Sequence, residues 1–287
     1  MTTLYDRRGK VVVDDCSLDR FKALGLDSFT AFMDFTGAEL VRDKGIRTIE
    51  RVTLPGEHPM TLYLKRHHRG FLREAVRELL GGRCPSSAAA QEWDAISKSH
   101  AAGIETMTPL AFGERRWFPW VGPSFIVTAE IDGVRLEDHV KNLCGKFMEK
   151  RGIIAPLADC VRRMHRAGLN HRDFYLSHIF LQTSAQGFRP ALIDLQRVQQ
   201  KARGWNRWVV KDLAALNYSS PASTVSRADR MRFLHRYLDT AKLDKRGKAF
   251  LRRINRKTEK IRRHDLKKAR EGGSIIPPGS LRNVSPL

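Results

Sequence analysis

The stretch LNHRDFYLSHIFL, residues 169–181, constrains this chain more than any other. It sets a His-Arg-Asp triplet where one apolar segment gives way to another, with His178 five residues after Asp173. An aspartate at such a junction is either a turn residue or a base presented by a loop. Its surroundings carry the decision. Upstream, IIAPLADCVRRMHRAG places Ile154, Leu157, Val161 and Met164 on one helical face and stops at Gly168. Downstream, HIFLQ and PALIDL flank TSAQGF in the pattern of a β-hairpin, and that hairpin runs into Asp194. WVVKDLAALNYSS then reads as a further helix.

The N-terminal half has a different period. Residues 35–66 alternate apolar and polar positions in IRTIERVTL and MTLYLKRH, separated by the turn signal PGEHP, so two or three antiparallel strands are expected. The polar GGRCPSS precedes AAAQEWDAISKSHAAG, a helix pattern with Ser86 or Ser87 as N-cap and Gly103 as its stop. PSFIVTAEI reads as a buried strand and DGVRL as the turn leaving it. Strands first and helices later predict an α+β protein of two lobes. The expected division is an N-terminal lobe over 1–130, a C-terminal lobe over 131–270, and a Gly/Pro/Ser-rich, poorly ordered tail over 271–287.

A chain of 287 residues can bury one large core or two modest ones, and 41% hydrophobic residues is ordinary for a globular protein. The net charge of +21 is not ordinary, and it favours a polyanionic partner: nucleic acid, an anionic membrane surface or a phosphorylated substrate. Residues 241–270 hold 14 Lys/Arg against 3 Asp/Glu. Leu243, Phe250, Ile254 and Ile261 fall within about 40° of one another at helical period, which predicts an amphipathic helix. Its charges either hold the chain against anionic lipid or phosphorylated saccharide, or are simply solvated above a packed apolar stripe. Nucleic-acid binding interleaves aromatics with basic residues, and Phe250 is the only aromatic in this stretch, so nucleic acid is not the expected partner. The four cysteines are scattered without a C-x-x-C pair, which predicts free thiols in a reducing cytosol and no zinc site. The N-terminus lacks the apolar core of a signal peptide, and no stretch approaches the roughly 18 apolar residues of a membrane span. The expected location is cytoplasmic, peripheral on the inner face of the inner membrane.

Phosphoryl transfer from ATP needs a cation on the phosphates, a carboxylate locking that cation, a carboxylate on the metal, and a carboxylate taking the proton of the attacking hydroxyl. Protein-kinase-like folds supply them as a strand lysine, a helix glutamate, an Asp after a β-hairpin and the Asp of an H-R-D loop. Candidates stand here in that order: Lys65 in LYLKRH, Glu92 in AQEWDAI, Asp173 in the H-R-D triplet and Asp194 ending ALID. The usual motif has Asn five residues after the Asp, holding a second Mg2+. His178 stands there instead, as a metal ligand, a hydrogen-bond partner of Asp173, or a packed ring beneath the loop.

HRDFYLSHIFL, LIDLQRV and KDLAALNYSS together resemble the lipopolysaccharide core kinases, the heptose and Kdo kinase family, over roughly residues 40–220. That family is similar in fold to eukaryotic protein kinases and carries His at the position of His178. The resemblance implies a two-lobed, protein-kinase-like fold with Asp173, Arg172 and His178 as catalytic residues. It implies nucleotide contacts from Lys65, Glu92, Arg47 and Glu130, metal held by Asp194 and His178, and ATP with Mg2+ as cofactors. The implied substrate is a heptose or Kdo hydroxyl of the lipopolysaccharide inner core, or another phosphorylated glycolipid. RDKGIRT has one glycine where the nucleotide loop usually has three, so Arg42, Arg47 and backbone N–H groups are expected to substitute. Asp-Leu-Gln replaces Asp-Phe-Gly, which predicts no phenylalanine flip. The short interval from Asp194 to Asp212, without Ala-Pro-Glu, suits a compact acceptor better than a peptide. Asp212 resembles the helix Asp that buttresses the catalytic loop. The alternatives are a protein or small-molecule (antibiotic-type) kinase and, in another class, a kinase-like binding module for acidic partners or RNA.

Overall fold

The sheet that the alternating segments predict is larger than they show. In the computed structural model, residues 1–6, 9–54, 59–69, 79–80, 84–117, 120–200 and 204–271 are described. The chain forms two units: Met1–Lys98 with Met107–Glu130, and Ser99–Thr106 with Ile131–Leu287. The first contains strands β1 (Thr2–Asp6), β2 (Gly9–Val13), β3 (Glu39–Asp43), β4 (Arg47–Leu54), β5 (Met60–His67), β6 (Pro109–Trp117) and β7 (Trp120–Ala129). They make one antiparallel sheet in the order β1-β2-β6-β7-β5-β4-β3. Two short helices, α1 (Leu18–Ala23) and α2 (Phe29–Asp34), cover one face. That face presents the alternate residues Val52 and Leu54, Leu62 and Leu64, Phe125 and Val127, which bury against Phe21, Phe29 and Phe32. Phe32 stacks on Phe125 at 4.4 Å. Gly113 lies opposite Phe125 in the strand register, and a Cβ there would fall 2.3 Å from the Phe125 ring, so only glycine lets this ring pack.

Arg66 ties α2 to the sheet. Its guanidinium bonds both oxygens of Glu50 at 2.7 Å and donates to the carbonyls of Phe32 and Phe35, at the C-terminal end of that helix. Burial holds this guanidinium below its ordinary value, with Glu50 opposing.

The second unit contains β8 (Val134–Arg135), β9 (Leu169–Asn170), β10 (Ile179–Ser184), β11 (Gly187–Leu192) and β12 (Gln199–Gln200). β10 and β11 are the expected hairpin. Among the described residues, six helices contribute to this unit. Helix α3 (Ala88–Ala101) crosses from the first unit and ends in the second; α4 (Leu136–His139), α5 (Phe147–Arg166), α6 (Arg207–Ser219) and α7 (Arg227–Leu238) follow, and α8 (Lys245–Arg270) closes the described chain. Ile153, Leu157, Val161 and Met164 bury the inner face of α5, with Ile153 in the place predicted for Ile154. Gly168, at φ +77°, ends the α5 segment in a conformation that a side chain would strain.

Helix α8 forms as its period predicts, with two corrections to its buried stripe. Leu243 lies before the helix, whose N-cap is Asp244, and Thr258 takes the buried position predicted for the half-buried Ile261. Thr258 can be buried because its hydroxyl bonds the Ile254 carbonyl at 3.0 Å and accepts from Asn217 at 3.1 Å. Residues 55–58 of the turn PGEHP and residues 272–287 of the expected tail lie outside the described residues. Among those described, no helix is long and apolar enough to cross a membrane. All four cysteines are free, and among the described residues no group of three His, Cys, Asp or Glu side chains is placed to hold a metal.

Candidate active site

In the first unit, β5 alternates apolar residues toward the core with Tyr63 and Lys65 on its other face. Helix α3 covers Lys65, and its start is fixed by Ser87, whose hydroxyl accepts the Ala90 N–H at 3.0 Å; of the two predicted caps, Ser87 is the one used. One turn in, Glu92 is fully buried and its Oε1 lies 2.6 Å from Lys65 Nζ. Its Oε2 has no hydrogen-bond partner among the described residues, leaving an acceptor free beside the ammonium. β3 and β4 are joined by a tight turn with Gly45 at φ +70° and its N–H on Asp43 Oδ1. One glycine suffices for this turn because only one residue adopts positive φ. Arg47 opens β4, half-buried, opposite His67. Glu130 accepts from the Tyr63 hydroxyl at 2.9 Å, lies 3.6 Å from Arg51, and gives its N–H to the Thr61 carbonyl.

In the second unit the buried carboxylate of Asp212, on α6, organises the loop. It accepts the backbone N–H groups of His171 at 2.8 Å and Arg172 at 2.7 Å. His165 of α5, itself 2.8 Å from the Tyr237 hydroxyl, lies 3.4 Å from the same carboxylate. With its backbone so held, Arg172 keeps φ at +71°, sparsely populated for a residue with a side chain. Its guanidinium lies over the Trp208 ring at 4.7 Å rather than on Asp173. His171 Nε2 donates to the Ile193 carbonyl at 3.0 Å, joining the H-R-D loop to the residue before Asp194. Asp194 also sits at positive φ, +57°.

His178 answers the question raised by its place in the motif. Its Nδ1 donates to the backbone carbonyl of Asp173 at 2.7 Å, and its Nε2 lies 3.8 Å from Asp194 Oδ2. It therefore fixes the loop through the backbone and turns a second donor atom toward the same point as Asp194. Two further cations were not legible from the motifs. Arg197 Nη1 lies 2.7 Å from Asp173 Oδ2, and Lys211 Nζ lies 3.4 Å from Oδ1 while donating to the Arg172 carbonyl. The available signals were position alone: three residues after Asp194 and one before Asp212.

His171 makes a test of this network. Burial, opposed by Asp212, holds its imidazole below the ordinary 6.5. The folded protein thus keeps it neutral while the unfolded chain takes up a proton as pH falls through that value, so the stabilising contribution is present above pH 6.5 and lost below it. Melting temperature is expected to fall between pH 7.5 and 5.5, and His171→Asn should flatten that slope; equal slopes would remove His171 as its source.

A sheet unit with a buried Lys–Glu pair and a mainly helical unit with an H-R-D loop tied to a post-hairpin aspartate define a phosphotransferase of the protein-kinase-like class. The model of the lipopolysaccharide kinase (Kdo/WaaP) family matches residues 38–237. The lipopolysaccharide core heptose(I) kinase WaaP of Pseudomonas aeruginosa is 39% identical over 213 residues, 71% of this chain and 80% of that one. Its Escherichia coli namesake is 32% identical over 255 residues, 85% and 95% of the two chains. A solved structure, WaaP in complex with acyl carrier protein, superposes with a TM-score of 0.67 at 33% identity, covering 88% of this chain and 98% of that one. The chain belongs to the lipopolysaccharide kinase (Kdo/WaaP) family.

Proposed function

We infer that this chain is an ATP-dependent kinase of a heptose hydroxyl in the lipopolysaccharide inner core. One observation carries the reading: the family match spans both Asp173 and Asp194, and His171 ties their two loops together. Asp173 would accept the proton of the sugar hydroxyl. Lys65, oriented by Glu92, would bind nucleotide phosphate. Asp194 Oδ2 and His178 Nε2 are the donors that would hold Mg2+, and two protein donors fit an ion that takes most of its ligands from phosphate and water. The bound ion supplies neutralisation of phosphate charge. Arg47 and Glu130 are assigned to the nucleotide with Lys65, and Arg172 to holding the loop through Trp208. Transfer of labelled γ-phosphate to purified lipopolysaccharide core, measured against a peptide library, tests the substrate class; label on peptides alone would favour a protein kinase.

Asp194→Ala is expected to weaken Mg-ATP binding by at least about tenfold while leaving metal-free nucleotide binding unchanged. Calorimetry with and without Mg2+ decides, and wild-type affinity in that variant would withdraw the metal assignment.

We further propose an anionic membrane surface and an acyl carrier protein as partners. Helix α8 supports the first: Arg252, Arg253, Arg256, Lys260 and Arg263 are exposed on it, while Phe250, Ile254 and Thr258 are buried. Replacing Arg252, Arg253, Arg256, Lys257, Arg262 and Arg263 with Gln should weaken binding to anionic vesicles, each charge counting for about 1 kcal/mol near the surface. Salt raised from about 0.1 M to 1 M should have the same effect. Unchanged vesicle binding would leave α8 a packed helix with solvated charges. The solved relative supports the second partner, as does an apolar cavity in the second unit, lined by Leu136, Ile153, Leu157, Leu213, Leu216 and Leu234, whose chemistry suits an alkyl chain. Mass spectrometry of the purified protein, read for a bound carrier, tests it.

A further inference from the structure

Both oxygens of the base face a cation. Arg197 Nη1 is 2.7 Å from Asp173 Oδ2, and Lys211 Nζ is 3.4 Å from Oδ1. Each oxygen keeps a second lone pair, but a cation resting on it lowers its affinity for a proton, so a hydroxyl that is to give its proton to Asp173 is better served once that cation leaves. The two cations are not alike. Lys211 is rooted on α6 beside Asp212, is 22% exposed, and is anchored by the Arg172 carbonyl. Arg197 is 56% exposed and stands at the end of the short turn Leu195–Arg197, whose Leu195 is buried. Its side chain can swing while the turn stays in place. An exposed pair of this kind is weak in water. A guanidinium exchanges readily to a ligand carboxylate or phosphate, which it can grip with two parallel bonds.

The surroundings make that exchange favourable. Arg172 and Arg207 both lie over the Trp208 ring, at 4.7 and 4.5 Å from its centroid. Lys257 of α8 is held below its ordinary value by burial and by the charges of Lys260 and Lys211, which places it in the same field. Arg172, Arg197 and Lys211 thus set positive charge around Asp173, with Asp212 and Asp194 engaged by the loop itself and by His178, so a second anion brought there is attracted.

We propose that Arg197 is an acceptor-sensing latch: an anionic substituent on the acceptor sugar, carboxylate or phosphate, draws its guanidinium off Asp173 Oδ2 and so opens the base to the reacting hydroxyl. The base is exposed only to acceptors that carry the anion, which makes Arg197 a specificity-determining residue. The inference rests on the kinase reading above and goes beyond it in naming what the acceptor must carry.

The experiment uses three probes: deacylated core oligosaccharide, the same with its carboxyls reduced, and the same with its phosphates removed. Wild type should bind and phosphorylate the intact probe better than whichever form lacks the recognised anion, and that form identifies the anion. Arg197→Met should lose roughly tenfold in kcat/KM on the intact probe, mainly through KM, and should gain on the form without the anion, because the base then stands open without it. Arg197→Lys should recover part of the preference. A reading independent of activity comes from Asp173→Asn, which frees Arg197 from its partner. By calorimetry it should bind the intact probe several-fold more tightly than wild type, and adding Arg197→Met should erase the gain. An equal fall on all three probes, or unchanged affinity in Asp173→Asn, would overturn the latch. Phosphate transfer by wild type to none of the probes would count against the kinase reading, while the binding arms would still decide the latch.

Discussion

Asp173→Asn is expected to lower turnover by about 10²–10⁴, the usual contribution of a positioned general base. The substitution keeps the shape of the side chain and removes its capacity to take a proton. The loop should hold, because it is fixed through backbone groups: the N–H of His171 and of Arg172 on Asp212, and the Asp173 carbonyl on His178. Nucleotide affinity should be nearly unchanged, since Lys65 and Glu92 pair with each other and Asp194 lies beside His178. Single-turnover transfer to lipopolysaccharide core, with ATP binding measured separately, checks both halves. Turnover near wild type would remove Asp173 from the chemistry.

Asp212→Ala should damage the protein in a different way. Its carboxylate is fully buried and accepts two backbone N–H groups, which alanine would leave without partners. Each buried orphan costs about 1–3 kcal/mol, so a loss of about 2–5 kcal/mol in unfolding free energy is expected. Arg172 would also lose the bond that holds it at positive φ, and with it the geometry of Asp173. Urea denaturation should therefore shift, and the folded fraction should be about 10² or more less active. A stable Asp212→Ala protein with normal turnover would mean that the loop holds its shape without α6.

The second unit was the more legible. Its chemistry is written in polar residues at short, fixed spacing, and the apolar periods on either side say which loop they occupy. Residues 1–35 yielded no expectation because β1, β2, α1 and α2 are five or six residues each, too short for a period to emerge. The corrected stripe of α8 has another cause. Hydropathy ranks Ile261 above Thr258, but a threonine hydroxyl satisfied within its own helix can be buried as readily. The contacts of Arg197 and Lys211 with Asp173 depend on where the turns at Arg172 and Asp194 aim the chain, and both turns use positive φ at residues with side chains. No composition or spacing rule announces that conformation at Arg or Asp.

The Asp-Leu-Gln turn has a consequence for inhibitor chemistry. Leu195 is almost fully buried, and no glycine beside Asp194 lends the backbone freedom to invert. Compounds whose selectivity depends on occupying the space of a displaced phenylalanine therefore meet no such vacancy in this protein. A guanidinium resting on Asp173 is a different kind of handle. A small dianion linked to a sugar-like ring would compete for Arg197.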